Sequence, residues 1–252
     1  MSIATLILGE PGSGKSTSMR NLNPAETLLI QTIKKPLPFR GWTLLKKSAE
    51  TGEVTGNVVV SDVAAQIINY MTKTARKIIV LDDWNLLMTN EFMRRSAETG
   101  FQKFSDIGRS AWDVMMAASS LPDDVRVYML GHTSMDETGH IRAKTIGKLV
   151  DEKCPVESMF TTVLRAMQVN GQYVFQTQST GMDTCKSPLG LFETEQIPND
   201  LKEVDKAIAA YIQSRLQREY ETKPRGHMAD LARAAKMSTA HLANAKNKGS
   251  IG

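Results

Sequence analysis

The sequence of 252 residues predicts an α/β fold in which a mostly parallel sheet carries helices on both faces. Three observations lead to this prediction. Short apolar runs typical of buried strands alternate with segments of helical length and periodicity. A glycine-rich turn lies directly between the first apolar run and the first helix. A later apolar run, residues 77–81, ends in two adjacent aspartates, and strand ends of this kind face the ligand in α/β folds.

The elements can be assigned in order along the chain. Residues 2–8 form the first strand, and a helix follows the glycine-rich turn over residues 15–21. The further predicted strands are residues 27–31, 58–60, 77–81 and 125–130, and the further predicted helices are residues 62–75 and 85–120, the latter broken near Gly100 and Gly108. Residues 34–41 contain two prolines and predict an irregular connection.

The C-terminal third predicts an antiparallel addition to the sheet. Two β-type segments, residues 161–169 and 172–178, flank Asn170-Gly171, which is a strong hairpin signal. Residues 131–154 before them read as a loop, and residues 199–220 after them predict a helix. We therefore expect a hairpin at one edge of the sheet, followed by a last helix.

The charge distribution predicts two domains, a core of residues 1–214 and a small basic helical tail of residues 215–252. The tail holds eight Lys/Arg and three Asp/Glu, whereas the core holds 23 basic and 24 acidic residues. A basic tail on a nearly neutral body indicates a polyanionic partner, with nucleic acid the first candidate, and a merely solubilising tail is the equal alternative. Residues 231–246 resemble a helix-turn-helix, or else an alanine-rich helix without a DNA-binding role, and residues 223–228 resemble a cloning scar.

Composition argues against several classes of protein. No stretch approaches the roughly 18 apolar residues of a membrane span, so we expect no membrane partner. The N-terminus enters a core strand at once, which leaves no room for a signal peptide. Cys154 and Cys185 lack the spacing of a metal or redox site, so we expect reduced thiols in a cytoplasmic protein.

Residues 9–17 match the phosphate-binding pattern G-x-x-x-x-G-K-[ST] at every fixed position. The predicted nucleotide-binding residues are Gly9, Glu10, Pro11, Gly12, Ser13, Gly14, Lys15, Ser16 and Thr17. A strand, such a turn and a helix N-terminus together direct backbone N–H groups at phosphate oxygens. Lys15 would reach the β- and γ-phosphates, and the Ser16 hydroxyl would bind Mg²⁺. The sequence therefore predicts a nucleoside triphosphate site, with ATP and Mg²⁺ expected.

Polar residues at two further strand ends predict the rest of the chemistry. Asp82 would hold Mg²⁺ through water, opposite Ser16, and Asp83 would orient or deprotonate the attacking water. The strand over residues 125–130 is followed by Gly131, His132 and Thr133, and either His132 or Thr133 is placed to sense the γ-phosphate. A surface histidine at a strand end is the alternative for His132.

Hydrolysis requires positive charge at the transferring phosphoryl group. The candidate cations are Arg94, Arg95, Arg109, Arg142, Lys144 and Lys148. Residues 139–148 hold three of them beside two glycines, just after the predicted sensor strand. This segment could reach the nucleotide of a neighbouring subunit or a DNA backbone. For any one of these side chains, a solvated surface position is the ordinary expectation.

Seven short segments carry a resemblance to a known family. They are residues 9–17, 35–39, 80–83, 90–95, 131–133, 144–148 and 187–190. In these segments the chain resembles phage-encoded ATPases with a minimal RecA-like P-loop NTPase core, which act in recombination and single-strand annealing. The resemblance covers residues 3–212. It implies that Lys15, Ser16, Asp82 and Asp83 bind the nucleotide and Mg²⁺, and that Glu91 is a second candidate for water activation.

The resemblance also implies a function and partners. It implies ATP hydrolysis stimulated by single-stranded DNA, a homo-oligomer in the form of a ring or filament, and a single-strand-binding protein as partner, in the cytoplasm of the host cell. Two alternatives share the phosphate loop: a P-loop small-molecule kinase, and a nucleotide-dependent switch that docks a replication protein. Kinases usually close an arginine-rich lid over their phosphates, whereas the charge excess here lies at the far end of the chain.

Overall fold

The computed structural model describes residues 3–146 and 156–222, with side chains as far as residue 215. The chain divides into two compact units, Met1–Asp205 and Lys206–Gly252. The predicted helix-turn-helix and the residues Lys148 and Cys154 lie outside the described residues. Within those residues, no helix has both the length and the apolar character that crossing a lipid bilayer requires.

Eleven strands and five α-helices are described. The strands are β1 (Ile3–Gly9), β2 (Thr27–Gln31), β3 (Lys46–Lys47), β4 (Val54–Thr55), β5 (Val58–Val60), β6 (Ile78–Asp82), β7 (Arg126–Met135), β8 (Ile141–Ala143), β9 (Thr162–Val169), β10 (Gln172–Gln176) and β11 (Gln196–Pro198). The helices are α1 (Lys15–Ser18), α2 (Ala64–Lys73), α3 (Asn85–Arg94), α4 (Gln102–Ser119) and α5 (Leu201–Thr222). Short 3₁₀ turns follow α1 at Met19–Asn21 and precede β9 at Val156–Met159.

One sheet organises the fold, in the order β11-β10-β9-β1-β7-β6-β2-β5, with β8 added to β7. The strands from β9 to β5 run parallel, so the predicted mostly parallel α/β architecture is confirmed. The predicted hairpin is also confirmed, because β9 and β10 pair antiparallel around Asn170 and Gly171. Both turn residues have positive φ, 50° and 80°, which is the conformation that an Asn-Gly turn supplies.

Both faces of the sheet are buried. Leu6 and Ile7 point to opposite faces of β1, and each is 0% exposed. On the Leu6 face, side chains from α2 and α4, including Ile67 and Ile107, join one hydrophobic cluster with the strands. The opposite face carries Tyr128 of β7, whose hydroxyl donates to Asp205 in α5 at 2.7 Å. The first residues of α5, within the first unit, therefore contact this face.

Two local predictions need correction, and three short strands were not predicted. The helix break expected near Gly108 does not occur, because α4 runs through it from Gln102 to Ser119. A glycine inside a helix costs about 1 kcal/mol, and burial of the neighbouring Ile107 and Ala111 in the core offsets that cost. The loop expected from residue 131 begins instead with the extension of β7 to Met135 and with β8. The short strands β3, β4 and β11 were not predicted, because their two or three partly or fully exposed residues show no apolar pattern.

The sheet brings three strand ends to one edge. β7 lies between β1 and β6, with Gly9 paired to His132 and Leu81 paired to Met129. Because these strands are parallel, the loop after β1, the aspartates at the end of β6 and the polar end of β7 meet at the same edge. The fold therefore brings together the residues predicted at these three strand ends.

An ion pair between β7 and α5 offers a test of this architecture. Arg126 contacts the Asp205 carboxylate through Nε at 2.5 Å and Nη2 at 3.0 Å, and Tyr128 donates to the same group. Asp205→Ala leaves a largely buried guanidinium unpaired, so we expect it to lower the free energy of unfolding by about 3 kcal/mol.

This loss corresponds to a fall in Tm of roughly 6–12 °C for a domain of this size, measurable by calorimetry. Asp113→Ala is the control, because Asp113 pairs with Arg109 on the exposed face of α4. Equal Tm changes in the two variants would contradict the structural role of the buried pair.

Candidate functional site

The phosphate-binding loop is built around glycine conformations that other residues rarely adopt. Gly14 has a φ of 90° and directly precedes α1. A Cβ atom at this position would lie 3.0 Å from the Tyr173 ring and 3.3 Å from the Asn199 side chain. Glycine therefore permits both the turn and the close approach of β10 and of the residues after β11.

Lys15 turns its side chain back onto the loop. Its Nζ donates to the carbonyl oxygens of Gly9, at 2.7 Å, and Glu10, at 2.8 Å. Burial lowers the pKa of Lys15, and the nearby carboxylates of Asp83 and Asp82 partly oppose that change. The ammonium group is thus held over the loop, where phosphate oxygens can replace the two carbonyl groups.

The Ser16 hydroxyl meets the end of β6. Its Oγ donates to the Asp82 carboxylate, at 3.1 Å from Oδ1 and 3.2 Å from Oδ2, across a separation of 66 residues. Asp82 is 1% exposed. Burial raises the pKa of Asp82, Asp83 raises it further, and Lys35 opposes both effects.

This pair of oxygen ligands suits Mg²⁺. The cation prefers oxygen and usually takes only one or two protein groups alongside water and substrate phosphates. Among the described residues, no group of three or more His, Cys, Asp and Glu side chains is placed to hold a metal ion. The Ser16 hydroxyl and the buried Asp82 carboxylate are a pair of oxygen groups of this kind.

Asp83 follows in a strained turn. Its φ is 58°, in the left-handed region that residues with side chains seldom occupy. Thr32 stabilises the turn, because its Oγ1 donates to the Asp83 carbonyl oxygen at 2.9 Å. The Asp83 carboxylate accepts a hydrogen bond from Lys35 Nζ and lies 3.3 Å from His132 Nε2. The turn thus directs Asp83 towards the space between the loop and β7.

Lys35 compensates the charge of both aspartates. Its Nζ also lies 3.6 Å from Asp82 Oδ2. Burial lowers the pKa of Lys35, but the attraction of Asp82 and Asp83 is larger and leaves the pKa raised. Adjacent buried carboxylates are costly without a cation, and Lys35 supplies one.

The end of β7 brings two polar side chains to the site. Burial lowers the pKa of His132, Lys15 lowers it further, and Asp83 opposes both effects, so the site favours the neutral imidazole. Thr133, the alternative sensor, donates its hydroxyl hydrogen to the carboxylate of Glu10 in the loop. His132 lines the cavity beside the loop, whereas Thr133 ties the loop to β7.

Asn85 and Trp84 fix the position of this strand end. Asn85 Oδ1 accepts from the His132 backbone N–H at 2.6 Å, and Asn85 Nδ2 donates to the Lys144 carbonyl oxygen. A Cβ atom at Gly131 would lie 2.1 Å from the indole nitrogen of buried Trp84, so only glycine fits there. Trp84 and Asn85 therefore fix the end of β7 near His132, in addition to forming the start of α3.

The loop, Asp83 and His132 line a cavity of about 690 Å³. Pockets of 300–1,000 Å³ typically hold small molecules and cofactors. The rest of the wall comes from residues that the sequence analysis did not identify, including Arg20, Tyr173 and Asn199. Tyr173 is 48% exposed and presents a ring to the cavity, and Asn199 is 5% exposed.

Asn199 carries an unusual feature for a buried side chain. Its Nδ2 has no hydrogen-bond partner among the described residues, although buried amides are normally satisfied. The residue is fixed by Arg20, whose Nη1 donates to the Asn199 carbonyl oxygen at 3.0 Å. Asn199 thus contributes a fixed side chain to the cavity wall beside Gly14, with its Oδ1 towards that glycine.

The other predicted residues on α3 lie away from this cavity. Arg94 pairs with Asp62 at 2.6 Å. Arg95 pairs with Asp106 at 2.8 Å and with Glu91 at 3.4 Å. Neither arginine nor Glu91 lines the cavity. The structure therefore holds Glu91 in an ion pair with Arg95, apart from the loop and Asp83.

The remaining described cations are also outside the cavity wall. Arg109 pairs with Asp113 on the surface of α4 at 2.7 Å. Arg142 lies on β8, 3.8 Å from Asp136. Lys144 is exposed after β8, close enough to His132 to lower its pKa. Of the predicted cations, only Lys144 is both near the site and without an ion pair in the described part of the chain.

Asp82→Asn tests the electrostatics of the site. The folded-state pKa of Asp82 is raised above its unfolded value, so its ionisation opposes folding, increasingly as the pH rises through the folded-state pKa. Without nucleotide and with a chelator, we expect the variant to melt at neutral pH no lower than the parent, with a gain of about 2–4 °C per kcal/mol recovered.

The difference in Tm between Asp82→Asn and the parent should shrink as the pH falls. Calorimetry at several pH values measures this difference. Asp113→Asn, on the exposed face of α4, serves as the control and should change little. A clear loss of Tm at neutral pH in Asp82→Asn alone would contradict the assigned cost of the buried carboxylate.

Taken together, the site combines a glycine-rich loop, a hydroxyl in contact with a buried carboxylate, and a second carboxylate beside an imidazole. The chain matches no protein-family model and no curated protein sequence.

Proposed function

We propose that this chain binds ATP with Mg²⁺ and hydrolyses it, and that it acts on single-stranded DNA in phage recombination or strand annealing. The main support for binding of ATP with Mg²⁺ is the contact between Ser16 of the phosphate loop and Asp82 at the end of β6. This contact supports the proposal, because a hydroxyl and a carboxylate that could hold Mg²⁺ lie beside a loop that matches the phosphate-binding pattern.

Lys15 and the loop amides would neutralise the triphosphate. The Lys15 ammonium now donates to two loop carbonyls and can exchange them for β- and γ-phosphate oxygens. Ser16 and Asp82 would hold Mg²⁺, which supplies charge neutralisation between the β- and γ-phosphates. Asp82 is buried with a raised pKa, so a cation beside it would favour the ionised carboxylate.

Asp83 is the residue best placed to position the attacking water. Its carboxylate faces the cavity, 3.3 Å from a neutral imidazole at His132. A carboxylate can accept a proton from water, and a neutral histidine can donate one hydrogen bond while leaving the carboxylate charged. Glu91 is a weaker candidate, because it pairs with Arg95 and does not line the cavity.

The cavity wall next to Gly14 suits a nucleobase. Tyr173 offers a partly exposed ring there, and the Asn199 side chain adds a polar group beside it. Stacking on an aromatic ring and one hydrogen bond are common means of holding a base. We therefore propose that the triphosphate is a nucleotide, with its base between these two residues.

The remaining parts of the proposal rest on the family resemblance and on charge. They are action on single-stranded DNA, a homo-oligomer in the form of a ring or filament, a single-strand-binding protein as partner, and the host-cell cytoplasm as location. The basic residues 215–252 support a polyanionic partner. The buried free thiol of Cys185, whose pKa is raised by burial, is in keeping with a reducing compartment.

ATP turnover with and without single-stranded DNA tests the activity and separates the alternatives. We expect phosphate release that increases with DNA. We expect Lys15→Ala to weaken ATP binding about 10- to 100-fold, because it removes hydrogen bonds from a charged donor, and to abolish turnover. Coupled phosphate assay and calorimetric titration measure the two effects.

Lys73→Ala is the matched control, since Lys73 is exposed at the end of α2 and lines no part of the cavity. Phosphorylated nucleosides as products would instead identify a kinase. Tight ATP binding without turnover, with or without DNA, would identify a nucleotide switch.

Replacement of Tyr173 tests the base contact separately. We expect Tyr173→Ala to weaken ATP binding about 5- to 150-fold, the range for loss of one aromatic stacking contact, while binding of inorganic tripolyphosphate stays the same. Tyr173→Phe keeps the ring and should bind ATP like the parent. Equal losses for ATP and tripolyphosphate, or no loss at all, would contradict a base at this position.

A further inference from the structure

The segment after β2 carries an uncompensated positive charge. Residues 33–47 contain five Lys/Arg and no Asp/Glu. Lys34 and Arg40 are exposed, and neither makes an ion pair with the residues that the structure describes. By contrast, Arg94 and Arg95 are neutralised by neighbouring carboxylates. This segment therefore offers free cations that the candidates on α3 do not.

A groove of about 410 Å³ opens along the same segment. Leu37, Phe39 and Trp42 form its apolar wall, and Lys34 and Lys35 form its charged wall. The rings of Phe39 and Trp42 meet edge to face, with centroids 5.3 Å apart and planes at 87°. Both aromatic residues are partly exposed, so the groove presents ring surface and positive charge side by side.

The groove is held in shape from both ends. Gln31 Nε2 donates to the Lys35 carbonyl oxygen at 3.2 Å, which fixes the beginning of the segment against β2. Leu45 N donates to the Val58 carbonyl oxygen at 2.7 Å, which fixes its end against β5. The two prolines between these anchors restrict the backbone further. A preordered groove loses little conformational entropy when a ligand binds.

Lys35 lines both this groove and the cavity of about 690 Å³ beside the phosphate loop. Its Nζ donates to the Asp83 carboxylate on the nucleotide side. A polyanion in the groove would therefore compete with Asp83 for the same cation. Occupancy of the groove can thereby change the charge around the residue proposed to position water.

We propose that the groove of residues 33–42 binds single-stranded nucleic acid, with bases against Phe39 and Trp42 and phosphates at Lys34 and Arg40. Single strands expose base faces that stack on aromatic side chains, whereas bases in a duplex are already stacked on one another. Phosphates supply the negative charge that the unpaired cations match. The inference rests on the proposed function, since it locates the contact with the strand.

Fluorescence anisotropy of a labelled oligothymidylate with the full chain tests the proposal. We expect Trp42→Ala to weaken binding about 5- to 150-fold, by loss of a stacking contact. We expect Lys34→Ala to reduce the slope of log K against log salt concentration by about 0.7, by loss of one phosphate contact. Trp112→Ala and Lys73→Ala are matched controls, because those residues are partly or fully exposed and line neither cavity.

The variants should keep the ATP turnover that the parent shows without DNA, but should need more strand for stimulation. Trp42→Phe, which keeps a ring, should restore most of the binding. Cross-linking of a 5-iodouracil strand provides a second readout that needs no variant, and the photoproducts should map to residues 39–42.

The outcomes separate the two proposals. If the parent hydrolyses ATP but binds no strand, the DNA part of the proposed function is wrong, and the groove inference with it. If the parent binds the strand, and the groove variants and cross-links show no involvement of residues 33–42, the groove inference alone is wrong. Groove variants that no longer bind an acidic peptide but still bind the single strand would also overturn the groove inference, in favour of a protein partner.

Discussion

The contact between the Ser16 hydroxyl and the Asp82 carboxylate is the interaction on which the site depends, since it joins two segments 66 residues apart. The sheet order makes this contact possible. With β7 between β1 and β6, and all three parallel, the loop after β1 and the aspartates after β6 face each other across the end of β7. The hydrogen bonds of Asn85 and Thr133 then hold that end in place.

The site combines features that are costly for the fold. Two adjacent carboxylates are buried, one in a turn with positive φ, and a lysine is buried beside them. Lys35 and Lys15 reduce the repulsion between the aspartates, yet burial still raises the pKa of Asp82. Arrangements of this kind are typical of binding sites, where a ligand recovers the energy that the fold gives up. A nucleotide with its metal would supply that compensation.

The sequence predicts those parts of the site that depend on neighbouring residues. The loop over residues 9–17, the aspartates at the end of β6 and the Asn170-Gly171 hairpin each follow from a local pattern, and the structure has the strands and turn that these patterns predict. The continuous α4 escaped prediction because packing in the core outweighs the helix-breaking tendency of Gly108.

Residues that reach the site from distant segments could not be found in this way. Tyr173 and Asn199 approach Gly14 only because β10 and the residues after β11 lie beside the loop in the folded chain. Nothing near Lys35 in the sequence shows that its side chain contacts Asp83, since that contact depends on the pairing of β2 with β6. Among the described residues, the pairing of the strands therefore shapes the cavity as much as the loop over residues 9–17 does.

The most direct test of nucleotide and Mg²⁺ binding at this site is a calorimetric titration with a non-hydrolysable ATP analogue, in the presence of Mg²⁺ and again in the presence of a chelator. We expect one nucleotide bound per chain, with an affinity that Mg²⁺ increases in the parent but not in Ser16→Ala. No binding by the parent, or equal affinity with and without the metal, would contradict it.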